Sequence, residues 1–140
     1  MKLWALYSDD HSEVDVGGDR DGLRALAQSL RQDDPLELVL DNPPETWTGN
    51  WRALRFVRVQ PVGSEDARIC FERDEAALII SGKPDELARI VAHAVAQVAE
   101  GPATKNGVGS HVHLDPTSDP ERRNYAADSG SLVIAFHAVG

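Results

Sequence analysis

Leu78-Ile79-Ile80-Ser81-Gly82, then Lys83-Pro84-Asp85-Glu86, then Leu87 to Ala99: the fold is read outward from this stretch. Ala77 to Ile80 is a short, β-branched apolar run, which suits a buried strand. Gly82 ends it, because glycine takes turn dihedrals at little steric cost. Pro84 fits the first turn of a helix, where its missing N–H would have no partner anyway. Asp85 and Glu86 place negative charge at the positive end of the helix dipole. Leu87, Ile90, Val91, Ala94, Val95 and Val98 recur at helical spacing, and Gly101-Pro102 closes the segment. The unit is strand, glycine turn, helix.

The same unit stands earlier in the chain. Val14-Asp15-Val16-Gly17-Gly18 leads through Asp19-Arg20-Asp21-Gly22 to Leu23, Leu26, Ala27 and Leu30. Setting Gly18 on Gly82 also sets Asp21 on Asp85 and Leu23 on Leu87. Asp19 has the side chain to cap its helix. Each helix is followed by a short strand ending in Leu-Asp, Leu38 to Asp41 and Val112 to Asp115. The order of elements repeats, so an internal duplication is expected, with halves 1–62 and 63–140 inside one domain. Two copies are too few for a solenoid.

A length of 140 residues suits a single domain, 1–140, with a real core. The lone Cys70 has no internal disulfide partner and suits a reducing compartment. The apolar run in Met1 to Tyr7 is too short for a signal peptide or a membrane span, so a cytoplasmic location is expected. Twenty-three acids against fourteen bases give a net charge of −9. The acids crowd into the first 45 residues, where only Lys2, Arg20, Arg24 and Arg31 oppose them. Such a field repels nucleic acid and anionic membrane. It either keeps the chain soluble or steers a basic partner.

The remaining segments extend the sheet. Lys2 to Tyr7 reads as a strand with Leu3, Ala5 and Tyr7 on one face, and Leu36 to Leu40 as another. Leu54 to Val62, Arg68 to Glu72 and the strand from Ala77 read as an antiparallel meander, since their connections are short. In Leu54 to Val62, Arg55 and Arg58 fall on opposite faces, which calls for a bulge or a partly exposed strand. Ser131 to Val139 is apolar on both faces and belongs inside a sheet. The expected class is α+β: an antiparallel or mixed sheet of about six to eight strands packed by two helices.

Three groups of side chains are candidates for function. Trp47 and Trp51, on the loop Asn42 to Arg52, either fold back over the core edge or anchor a partner. Asp9, Asp10, Asp33, Asp34 and Glu45 are the acids placed to meet a basic partner. His111, His113 and Asp115 share one face of a strand, and His137 from the last strand could join them. These four are either a structural edge cluster or ligands for zinc or a non-haem metal, and a metal-dependent enzyme built on them is the alternative function. No nucleophile motif or phosphate loop is set up, Cys70 lies in an apolar run, and His93 reads as a partly buried or boundary helix residue. A third reading is an oligomerisation module with the tryptophan loop as a self-contact.

Gly18-Asp19-Arg20-Asp21-Gly22-Leu23-Arg24-Ala25-Leu26-Ala27 resembles the start of the immunity protein 32 family of bacterial polymorphic toxin systems. So does His111-Val112-His113-Leu114-Asp115, with a polar gap and then Ser131-Leu132-Val133-Ile134. The patterns cover about half of the chain, and the meander lies outside them. The resemblance implies a small bacterial cytoplasmic protein that binds and neutralises a cognate toxin, without a cofactor or catalytic residues of its own. Joined to the charge, it points to a basic toxin occluded by this chain.

Overall fold

The structure is a computed structural model and describes residues 1–8, 13–44, 51–101, 108–115, 124–127 and 129–137. The chain forms, in order, β1 (Leu3–Tyr7), β2 (Glu13–Gly18), α1 (Arg20–Ser29), β3 (Leu36–Val39), β4 (Arg52–Ala53), β5 (Phe56–Pro61), β6 (Cys70–Asp74) and β7 (Ala77–Gly82). A second helix, α2, then runs over residues 84–99, and β8 (Val108–Leu114) and β9 (Ser131–His137) complete the chain. The expected α+β class holds. Among the described residues the strands number nine and divide between two mixed sheets, ordered β4-β1-β2-β9-β8 and β3-β5-β7-β6. No helix of the described residues is long and apolar enough to cross a membrane.

Local sequence explains both helices. Asp19 caps α1 as expected: its Oδ1 accepts from Gly22 N–H at 2.8 Å and from Lys2 N–H at 3.0 Å. Burial alone would raise the Asp19 carboxyl, but those two N–H groups and the N-terminal ammonium hold it below the usual carboxylate range. Gly82 has φ +151°, and a Cβ there would lie 3.1 Å from Ile69 Cα, so glycine is required where β7 turns into α2. α2 opens with Pro84–Glu86 as an α-helical turn, widens to a π-helix over Leu87–Ala92, and closes as α-helix over His93–Ala99. Leu87, Val91, Val95 and Val98 are buried as the spacing requires, whereas His93 is exposed rather than partly buried. Arg20 Nε donates to Ala99 C=O at 2.8 Å, and Arg24 grips the Glu100 carboxylate with two nitrogens at 2.6 and 3.0 Å. Cations from α1 thus sit on the negative end of α2.

The expected meander does not form. β5 pairs with β7 in parallel, and β6 flanks β7 on the far side in antiparallel register. β5 and β6 run in opposite directions, so no crossover is needed. The segment 62–69 steps across two strand spacings, roughly 10 Å, and β7 returns into the gap. Short connections exclude a crossover; they do not force sequential strands to be neighbours. Arg55 precedes β5, so the two arginines are not a bulge within one strand. β9 lies between β2 and β8, inside its sheet as expected.

The two sheets have one pattern. β1-β2-β9-β8 runs antiparallel, parallel, antiparallel, and so does β6-β7-β5-β3. β2 meets β9 from Glu13–Ser131 to Gly18–Phe136, and β7 meets β5 from Ala77–Phe56 to Gly82–Pro61. In this correspondence Leu38 matches Leu114, two residues away from the Leu-Asp alignment but on the same face. Leaving aside the two-residue β4 at the edge of the first sheet, each sheet holds the first two strands of one half of the chain and the remaining two of the other. The joining segments mirror each other as well. Asp41 N–H donates to Leu3 C=O and Leu54 N–H to Ala5 C=O; Ala126 N–H donates to Ile69 C=O and Gly130 N–H to Phe71 C=O. The inner faces of both sheets and the two helices share one hydrophobic cluster, including Leu3, Val16, Leu26, Val57, Leu78, Leu87 and Ile134.

Two measurements test this frame. Residues 1–62 and 63–140, made as separate chains, should each remain largely unfolded and recover native circular dichroism only when mixed. Asp19→Ala should cost about 1–2 kcal/mol in denaturant unfolding, the usual loss for an N-cap carboxylate.

Candidate functional site

β9 alternates throughout, and β2 does so from Glu13 to Val16. Val14 and Val16, Leu132 and Ile134 face the core; Glu13, Asp15, Val133, Ala135 and His137 face away from it. Register carries this outer face across the sheet. Asp15 lies between Leu6 and Val133, and Val133 and Ala135 lie beside His113 and His111. The result is a mixed strip of carboxylates and imidazoles on one sheet face.

Trp4 anchors the strip. Only 1% of it is exposed, and its ring lies 5.3 Å from the His137 ring at 49°. A Cβ on Gly17 would come within 2.5 Å of the indole nitrogen, so this position of β2 has to be glycine. Burial lowers the His137 pKa below the ordinary imidazole value. Asp15 is pushed up to about 7, first by burial, then by its hydrogen bond to Glu13, then by the Glu13 charge. The two carboxylates are i and i+2 on one strand, which puts them on one side. The alternation Glu-Val-Asp-Val was the available signal, and the sequence reading passed over it.

His111 and His113 do share a face with His137, as expected. They are exposed, and their rings meet edge to face at 5.3 Å. Asp115 follows the strand and is half-buried. Among the described residues no group of three or more His, Cys, Asp and Glu side chains is placed to hold a metal ion.

Of the acids and tryptophans expected to meet a partner, Asp9, Asp10, Glu45 and Trp47 lie outside the described residues. Asp33 and Asp34 are exposed in the turn between α1 and β3. Trp51 is half-buried just before β4, at the opposite sheet's edge. Asp33 and Asp34 therefore adjoin β3, where Glu37 and Arg58 form a cross-strand ion pair at 2.7 Å and Leu36 and Val39 are exposed. The turn and the strand together make an acidic, partly apolar edge that sequence reasoning did not assemble.

The fold defines an α+β protein of two mixed sheets packed by two helices. The sequence model described as immunity protein 32 matches residues 13–32 and 77–137, more than half of the chain, and the chain belongs to that family. The two matched segments begin at the first residues of β2 and β7. No curated protein and no solved structure matches the chain.

Asp15 gives this face a pH signature. Between about pH 4 and pH 7 the folded chain keeps a proton that the unfolded chain has released, so stability falls as pH rises through that window. Asp15→Asn should remove this slope. Its unfolding free energy should gain on wild type by about 1–3 kcal/mol between pH 4 and pH 8, a discounted value for a half-buried group. Parallel denaturant melts at the two pH values measure it.

Proposed function

We propose that this chain is an immunity-type binding protein that neutralises a cognate, basic toxin domain by occluding it, in the cytoplasm of a bacterium. Membership of the immunity protein 32 family carries the reading. The net charge of −9 supports the sign of the partner, and the exposed Asp33 and Asp34 support where its field would act. In this reading the chain acts by association and not by turnover. We propose too that halves 1–62 and 63–140 are copies of one unit of two strands, a helix and two strands, to which the first half adds the two-residue β4. Their support is the matching sheet pattern and the 64-residue offset between Glu13–Gly18 and Ala77–Gly82.

Affinity capture from source cells, with mass spectrometry, should recover a large secreted protein with a basic C-terminal domain. Producing that domain in a test bacterium should arrest growth, and adding this chain should restore it. Continued arrest, with both proteins present and folded, would overturn the reading. With the recovered domain in hand, Asp33→Asn with Asp34→Asn should slow association at low salt by about tenfold and leave dissociation nearly unchanged. Stopped-flow kinetics at two salt concentrations reads both rates.

A further inference from the structure

The four sheet edges are not equivalent. β4 is only two residues long. β6 has its outer side already used, since Ile69 and Phe71 exchange hydrogen bonds with Asn124, Ala126 and Gly130. β8 is irregular between Val108 and His111, and the last part of α2 packs against it. Bulges, brevity and cover are the usual devices against strand addition. β3 is only four residues long, but among the described residues it has neither a bulge nor a covering segment. It is regular, with four successive pairs to β5 from Leu36–Val59 to Val39–Phe56. Its single charge, Glu37, is engaged by Arg58.

The direction of its free groups follows from one hydrogen bond. Leu40 N–H donates to Arg55 C=O at 2.8 Å. Alternation then turns the N–H and C=O of Leu38 and Leu36 towards β5, and those of Glu37 and Val39 outward. Those outward groups have no partner among the described residues. Val39 is 76% exposed and Leu36 39%. Beside Leu36 an open surface depression of about 230 Å³, lined by Pro35, Leu36, Glu37, Arg58, Val59 and Gln60, has room for a side chain.

We propose that β3 is a docking edge for an extended, cationic segment of the toxin, which adds to this sheet as a fifth strand. The inference rests on the immunity reading for the identity of the partner. Main-chain bonds to Glu37 and Val39 supply the pairing, and the exposed Leu36 and Val39 supply apolar contact. Charge selects the occupant. Asp33 and Asp34 are exposed in the turn that leads into this edge, so a lysine- or arginine-bearing strand is attracted. A second copy of this chain, itself at −9 and carrying the same acids, is repelled.

The test uses the whole chain labelled with 15N and a synthetic octapeptide of alternating lysine and valine, titrated to millimolar concentration. The amide signals of Glu37 and Val39 should shift with the peptide, and a glutamate–valine octapeptide should leave them in place. Val39→Pro removes only an outward N–H and should weaken peptide binding at least tenfold. Val39→Lys, at a site too exposed to affect folding, should weaken it severalfold and serves if the proline variant does not fold. Unshifted Glu37 and Val39 amides, or equal binding by both variants and wild type, would overturn the proposal. Equal shifts with the acidic peptide would overturn it as well. Shifts at the same amides on concentrating the chain alone would assign the edge to a second copy, against the proposal. Toxin rescue is read separately, so a chain that binds the peptide but fails to rescue discards the immunity reading and keeps the docking edge.

Discussion

The parallel pairing of β2 with β9, and of β5 with β7, is the constraint on which the other contacts rest. Each pair sits in the middle of its sheet and joins strands from opposite halves of the chain. A parallel partner cannot be supplied by a tight turn, so each half must send strands across to the other. The helices are placed by the same requirement. α1 leaves the first sheet and leads to the second, and α2 does the reverse. Arg20 and Arg24 then tie the start of α1 to the end of α2. Because most of these contacts link residues distant in sequence, the ordering entropy is met late and the fold should form slowly for its size.

Much of the local structure was legible, because it depends on nearest neighbours. The Asp19 cap, Pro84 in a first helical turn, the Gly82 turn and the buried faces of both helices follow from residue type and spacing. The sheet order was not legible. Phe56–Pro61, Cys70–Asp74 and Ala77–Gly82 are close in sequence, yet their order depends on which strand fills the gap between two others, and hydrophobic alternation is silent on that. The π-helical stretch Leu87–Ala92 escaped for a related reason, since its apolar spacing is compatible with an ordinary helix.

The candidate surfaces were harder to read, because they are made by register. His111 and His113 were visible as a pair, but their neighbours Val133 and Ala135 are what set them apart from Asp15 across the strip. Trp4 looked like one residue of a short strand, while its burial depends on Gly17 and His137. The acids Asp33 and Asp34 were visible as charge, but the edge they border came only from the topology.

Cys70 brings a different consequence. It is the sole cysteine, lies on β6 with 6% of its surface exposed, and its thiol meets Glu72 Oε1 at 3.2 Å. A thiol-reactive dye therefore reaches it only when the side chains packed around it move aside. The chain carries its own clock for local opening: the labelling rate counts how often the packing around this end of β6 loosens, without any added probe site.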